Sequence, residues 1–253
     1  MLREALVIAA CSIVLTLGCS DGAESTARSG GGGDGGAGGG SSLPTDGACD
    51  GKPFHTATIS HVVSFTPGAG AGFGADHLPE IIYGVPHGGG AHGGSTDVVS
   101  LGTDGEIVVG FGDDGVVDCD GPDFIVFENA FLTGKTPFKE LGQISVSDDG
   151  VTWTAFPCKT DALPYTGCAG WHPVYSNPSN TISPYDPATA GGDVFDLATI
   201  GVKSARYIKI VDQHNTGWTG GTTGFDLDAI AVLYADALPQ SNARKASSAS
   251  RSW

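Results

Sequence analysis

Phe111–Phe131 reads FGDDGVVDCDGPDFIVFENAF, an acidic loop that turns directly into an apolar strand. Five aspartates fall within its first part: Asp113, Asp114, Asp118, Asp120 and Asp123. Phe124-Ile125-Val126-Phe127 follows at once and closes on Glu128-Asn129. A glycine-rich acidic loop feeding a buried strand suits a hard cation. Carboxylates supply charge, glycines let the loop wrap, and the strand holds one end still. Without a cation the acids repel one another at close range. The stretch therefore predicts a calcium ion at Asp118, Asp120 and Asp123, with Glu128 and Asn129 closing this site or a neighbouring one. The alternative is a solvated acidic loop. An EF-hand is excluded, because Asn129 rather than glutamate occupies the twelfth position counted from Asp118 and no helix flanks the loop.

Working outward, short apolar or alternating runs recur between clusters of Gly, Pro, Asn and Asp: Thr58–Phe65, Glu80–Tyr83, Asp97–Leu101, Glu106–Phe111, Gln143–Val146, Trp153–Phe156, Arg206–Val211 and Asp228–Tyr234. Their length and punctuation predict an all-β sandwich or barrel in one domain. No stretch sustains a 3.6-residue apolar period, and Asp196–Ile200 is at most a turn or two of helix. No repeat of fixed period is present, which argues against propellers and solenoids. Trp153 is expected in the core.

The ends are of another kind. Met1-Leu2-Arg3 and the apolar run Ala5–Leu17 predict an export signal, and Leu15–Cys19 resembles a bacterial lipobox with Cys19 as the lipidated residue. Thr16 stands where leucine is usual. Residues 1–19 are thus read as a lipoprotein signal peptide, residues 20–47 as a Gly/Ser-rich tether, residues 48–236 as the folded domain and residues 237–253 as a disordered tail. Of the 28 acids and 12 bases in the 253-residue chain, residues 48–236 hold 23 and 7, so the whole formal charge of −16 lies in the domain. Nucleic acid and anionic lipid would be repelled, which leaves cations or neutral ligands and confines membrane contact to the lipid anchor.

Four cysteines remain after the export signal: Cys49, Cys119, Cys158 and Cys168. An even number in an exported chain predicts two disulfides. Cys158 and Cys168 bracket a short loop and are paired locally, which assigns Cys49 to Cys119. No CxxC or HxxxH spacing supports zinc. His77, His87 and His92 lie in glycine-rich loops at spacings that fit no familiar metal site.

Two motifs carry a resemblance. Gln143–Trp153, QISVSDDGVTW, and Ser204–Val211, SARYIKIV, resemble the paired signatures of discoidin domains. That resemblance implies a galactose-binding-like jelly-roll β-sandwich. In a wider comparison, DVVSLGTDGEIVVGF, DGPDFIVFENAF, AGGDVFDL and GFDLDAIAV, with the two motifs above, resemble a family of exported bacterial cell-surface proteins that has no assigned reaction. Asp226 and Asp228 open the last predicted strand. Period two places them on one face with Ile230, Val232 and Tyr234, at the rim of the core. Buried carboxylates there need a partner, either a cation or Arg206. Jelly-roll carbohydrate-binding modules place calcium near such strands, so the resemblance implies Asp226 or Asp228 as ligands. Asp193 and Asp196 are further oxygen donors, or Asp196 caps the turn that follows it.

Trp171, His172 and Trp218 are the loop aromatics expected to face a ligand, since flat rings bury the apolar faces of sugars. No nucleophile motif or selected carboxylate pair points to catalysis. The sequence thus predicts a non-catalytic, lipid-anchored, calcium-stabilised surface module that binds a glycan or another surface component. The alternatives are an adhesion protein that binds a protein partner, and a hydrolase that uses the acidic cluster.

Overall fold

The computed structural model describes Cys49, residues 54–214 and residues 224–239. Along them run β1 His55–Thr58, β2 His61–Thr66, β3 Val99–Ser100, β4 Glu106–Gly110, β5 Asp114–Val117, β6 Phe124–Glu128, β7 Phe131–Thr133, β8 Thr136–Phe138, β9 Gly142–Ser147, β10 Thr154–Ala155, β11 Cys168–Ala169, β12 Asp193–Phe195, β13 Ser204–Ala205, β14 Tyr207–Asp212 and β15 Asp226–Ala237. One sheet has the order β12-β6-β15-β5-β13, with β1 and β3 also pairing to β15. The other has the order β10-β9-β14-β4-β2, with β11 on β9, and β7-β8 is a separate hairpin. The protein is the antiparallel all-β sandwich that the sequence predicts. Among the described residues no helix is long and apolar enough to cross a membrane.

Alternation builds the inter-sheet core. Ile107 and Val109 of β4, Ile144 and Val146 of β9, and Ile208 and Ile210 of β14 face Phe124 and Val126 of β6 and Ile230 and Val232 of β15. Burying each such side chain contributes about 1.5–3 kcal/mol. The two motif strands lie side by side, with Ile208 opposite Val146 and Ile210 opposite Ile144. At the exposed end of this pair, Asp149 closes the β9–β10 turn. One of its oxygens accepts from Val151 N at 2.8 Å and Thr152 N at 2.7 Å. These bonds to the charged form hold its carboxyl down at about 2.

β6 is buried at every position, which explains why its sequence is apolar without alternation. Phe124 and Val126 enter the inter-sheet core. Ile125 and Phe127 face a second cluster with Ala229, Ala231, Leu233, Val174 and Ala190, supplied partly by the long connection before β12. Both expected disulfides are present. Cys49–Cys119 spans 70 positions, and Cys158–Cys168 spans 10.

Three expectations change. Glu80–Tyr83 is not a strand; Glu80–Ile82 forms a 3-10 turn. Trp153 lies outside the core, half-exposed, with Lys209 Nζ 4.5 Å from its ring centroid. β15 does not keep period two. Its pairing with β6 slips between Leu227 and Ala229, so Asp228 is a bulged residue. A second slip against β1 sends Tyr234 to the outer cluster while Ile230 and Val232 stay in the core. Asp226 and Asp228 therefore do not continue one face with Ile230, Val232 and Tyr234.

Candidate functional site: an acidic cage beside an aromatic loop

Antiparallel pairing brings the last residue of β6 against the first residues of β15, with Glu128 opposite Leu227. Glu140, just before β9, arrives at the same place. One carboxylate oxygen from each of Glu128, Glu140 and Asp226 lies within 4.8 Å of the others. Glu128 is 3% exposed and Glu140 8%. Several donors reach this cage, among them the Asn129 N–H to Glu128 and the Ser100 hydroxyl to Asp226. Asp226 N–H donates to Glu128 Oε1 at 3.4 Å, Gly224 N–H to Glu140 Oε1 at 3.2 Å, and Asn129 Nδ2 to Asp226 Oδ2 at 3.5 Å. The remaining oxygens are short of donors. Among the described residues five buried side-chain atoms make no hydrogen bond, and three of them are Glu128 Oε2, Asn129 Oδ1 and Asp226 Oδ1. The other two belong to Arg206, whose Nε lies 3.3 Å from Asp148 Oδ1 and whose Nη2 donates to the Pro239 carbonyl. Arg206 thus pairs with Asp148, not with Asp226 or Asp228.

Burial pushes the Glu128 carboxyl well above its usual range, and the charges of Asp226 and Glu140 add to the rise. Burial, then Asp226 and Asp212, lifts Glu140 to about 8, and burial raises Asp226 as well. Asp212 is itself buried but fully engaged, accepting from Asp104 N–H, His214 N–H and Phe225 N–H at 3.1, 2.9 and 2.9 Å. Gly94 closes the cage from the glycine-rich loop. A Cβ there would sit 2.0 Å from Asn129 Oδ1, so only glycine lets the loop pass so close.

The other predicted acids are placed elsewhere. Asp118, Asp123 and Asp196 also bring oxygens within 4.8 Å of one another, but each has donors. Lys203 Nζ lies 2.5 Å from Asp118 Oδ2. Asp123 accepts from Cys119 N–H at 2.8 Å and Leu197 N–H at 2.7 Å. Asp196 caps the 3-10 turn Leu197–Ile200 through Ala198 N–H at 2.8 Å. Asp120 is exposed and belongs to neither group. Asp228 is buried and accepts His87 N–H at 3.0 and 3.2 Å, which ties down the loop before β3. Among the described residues, the histidines do not converge on a metal position; His87 Nδ1 pairs with Asp97 at 2.5 Å and His92 Nδ1 meets the Leu132 carbonyl at 3.1 Å.

The loop aromatics, distant in the chain, meet the cage through the backbone. Trp171 is half-buried, and its ring centroid is 3.5 Å from that of exposed His172 at an interplanar angle of 37°. Tyr165 meets Trp171 edge-on at 5.8 Å, and Lys139 Nζ stands 4.4 Å from the Tyr165 centroid. Buried Asp193 holds the segment. It accepts Gly170 N–H at 2.7 Å and Trp171 N–H at 3.2 Å, and pairs with His172 Nδ1 at 2.7 Å. Gly170 is left-handed (φ 89°), and its carbonyl accepts the N–H of Glu140 at 3.2 Å. The aromatic loop and the cage are therefore one bond apart. Asp193 was legible only as an extra oxygen donor, and Glu140, Lys139 and Tyr165 carried no signal in the sequence. Trp218 and Cys19 lie outside the described residues, as do residues 1–19 and 20–47.

Neither a protein-family model nor a curated protein matches the chain. Among solved structures it is similar to the C-terminal domain of a chitobiase from Bacteroides fragilis, at 16% identity over 70% of this chain and 94% of that one, with a TM-score of 0.31. So low a score carries no argument about fold or function.

Proposed function

We propose that the protein is a non-catalytic binding module of a bacterial cell surface, exported and anchored through a lipid on Cys19, which takes a neutral glycan and is braced by calcium. The observation that carries the glycan part is the Trp171–His172 pair, flanked by Tyr165 and Lys139 and held by a buried carboxylate. A ring fixed before the ligand arrives loses little freedom on binding, and its face suits the C–H surface of a sugar. Exposed His172 and half-buried Lys139 supply polar groups for hydroxyls. Two cysteine pairs suit an oxidising compartment outside the cytoplasm. The resemblance of the β9 and β14 motifs to discoidin domains is in line with recognition rather than turnover.

Binding to a glycan microarray is the test. Trp171→Ala is expected to weaken binding to the preferred glycan at least tenfold with little change in melting temperature. Unchanged binding in that variant would refute the glycan reading. One observation favours a protein partner instead. An apolar hollow of about 410 Å³ beside edge strand β12 is lined by Pro122, Phe156, Pro157 and Phe195, with Val194 47% exposed.

A further inference from the structure

The cage at the Glu128 end of β6 is a second group of acids beside the acidic loop that the sequence singles out. We propose that Glu128, Asn129, Glu140 and Asp226 hold one hard divalent cation, calcium by preference, with Glu128 Oε2, Asp226 Oδ1 and Asn129 Oδ1 among its ligands. This rests on the cation part of the reading above and is independent of its glycan part.

The first support is the accounting of hydrogen bonds. A buried polar atom without a partner is uncommon and unfavourable, and each one calls for an explanation such as an ion. Here three of the five such atoms among the described residues belong to Glu128, Asn129 and Asp226, which meet at one end of β6 and β15, and all three are acceptors. A water molecule offers two protons and would leave an acceptor open; a cation satisfies every oxygen at once. The donors that do reach the cage bind the other oxygens, Glu128 Oε1, Glu140 Oε1 and Asp226 Oδ2. They fix each carboxylate with its second oxygen left available.

The second support is the donor set. Three carboxylates and an amide carbonyl are all hard oxygen ligands, with no sulfur or imidazole to favour zinc or copper. Calcium accepts six to eight oxygens in irregular geometry, whereas magnesium demands a near-octahedral shell and keeps several waters. An irregular site framed by two strand ends and a loop suits the former. Asn129 sets Nδ2 toward Asp226 Oδ2, and its Oδ1, which has no donor, lies under Gly94 beside the same carboxylate.

Geometry also says what the ion would do. Glu128 ends β6, Asp226 begins β15 and Glu140 precedes β9, so one ion would tie both sheets of the sandwich at this end. Because Glu140 N–H is bonded to the Gly170 carbonyl, the same ion would steady the turn that carries Trp171.

The rival is a set of carboxyls that share protons and bind no metal. Calcium is titrated by calorimetry into the purified, chelator-treated full chain and into Asp226→Asn, Glu140→Gln and Asp118→Asn. The wild type and Asp118→Asn are expected to take up one calcium per chain. Their melting temperature should rise by about 5–10 °C at a calcium concentration a hundred times Kd. Asp226→Asn and Glu140→Gln should lose at least tenfold in affinity. Without metal they should melt no lower than the wild type, because a buried repulsion has gone. A residue needed only for packing would instead lower the metal-free melting temperature. No heat and no shift in the wild type would overturn the proposal together with the cation part of the wider reading. Binding kept in both cage variants but lost in Asp118→Asn would overturn this site alone. Should a cage variant fail to fold, hydrogen exchange on the wild type decides. Slower exchange with calcium at Asn129 and residues 224–226, but not at residues 119–123, supports the cage; the reverse pattern overturns it.

Discussion

Two groups of three acids lie at different places in this sandwich, each with its oxygens within 4.8 Å of one another, and they are held in opposite ways. In the loop group every acid has donors of its own: Lys203 for Asp118, two backbone N–H groups for Asp123, and the Ala198 N–H for Asp196. In the cage, donors reach one oxygen of each carboxylate, and three further acceptors are left bare. Density of acids in the sequence does not separate the two groups. What distinguishes the two groups is whether the chain supplies protons for the oxygens it buries.

The loop group is braced by the chain itself, including a crosslink. Replacing Cys49 and Cys119 by serine opens a closed loop spanning 70 positions. The loss of stability is expected to be roughly 4 kcal/mol by loop-entropy arguments. Denaturant unfolding with and without calcium checks the contrast: the loss should appear in full while the calcium response is unchanged. A calcium response that vanishes with the disulfide would tie the ion to the loop and erase the difference between the two regions.

A smaller effect concerns Asp123. Burial raises its carboxyl from 3.8 to about 7, against the lowering influence of its two backbone donors and with help from Asp196 and Asp118. A folded value above the unfolded one means that the native state binds the extra proton. The stabilisation is present in full below about pH 4 and is lost as pH climbs toward 7, with a slope of at most about 1.4 kcal/mol per pH unit. Asp123→Asn, measured at fixed calcium, should flatten this part of the profile. A wild-type minus variant difference that is level from pH 4 to 7 would show that Asp123 stays ionised in the fold.

Much of this was legible in the residues. FIVF, QISVS and YIKIV carry strand signals, and the DDG turn and both cysteine pairs follow from local chemistry and counting. Glu128 and Asp226 stood out because each adjoins an apolar strand. Glu140 did not, since Lys139-Glu140-Leu141 looks like any exposed approach to a strand; only the meeting of the β9 sheet with the sheet of β6 and β15 brings it inward. The division of Asp226 from Asp228 was hidden for a related reason. A bulge adds one residue and reverses every later side chain, and nothing in GFDLDAIAV marks where it falls. Trp153 misled because its outward place under Lys209 depends on the neighbouring strand β14. Donor accounting is a three-dimensional property throughout, so the contrast between the two acid groups had no counterpart in the sequence.

The most direct measurement is anomalous diffraction from crystals of the protein grown with a lanthanide such as terbium in place of calcium. The account predicts one strong peak roughly 2.3–2.6 Å from Glu128 Oε2, Asp226 Oδ1 and Asn129 Oδ1. A peak among Asp118, Asp120 and Asp123, or no ordered peak at all, would contradict it.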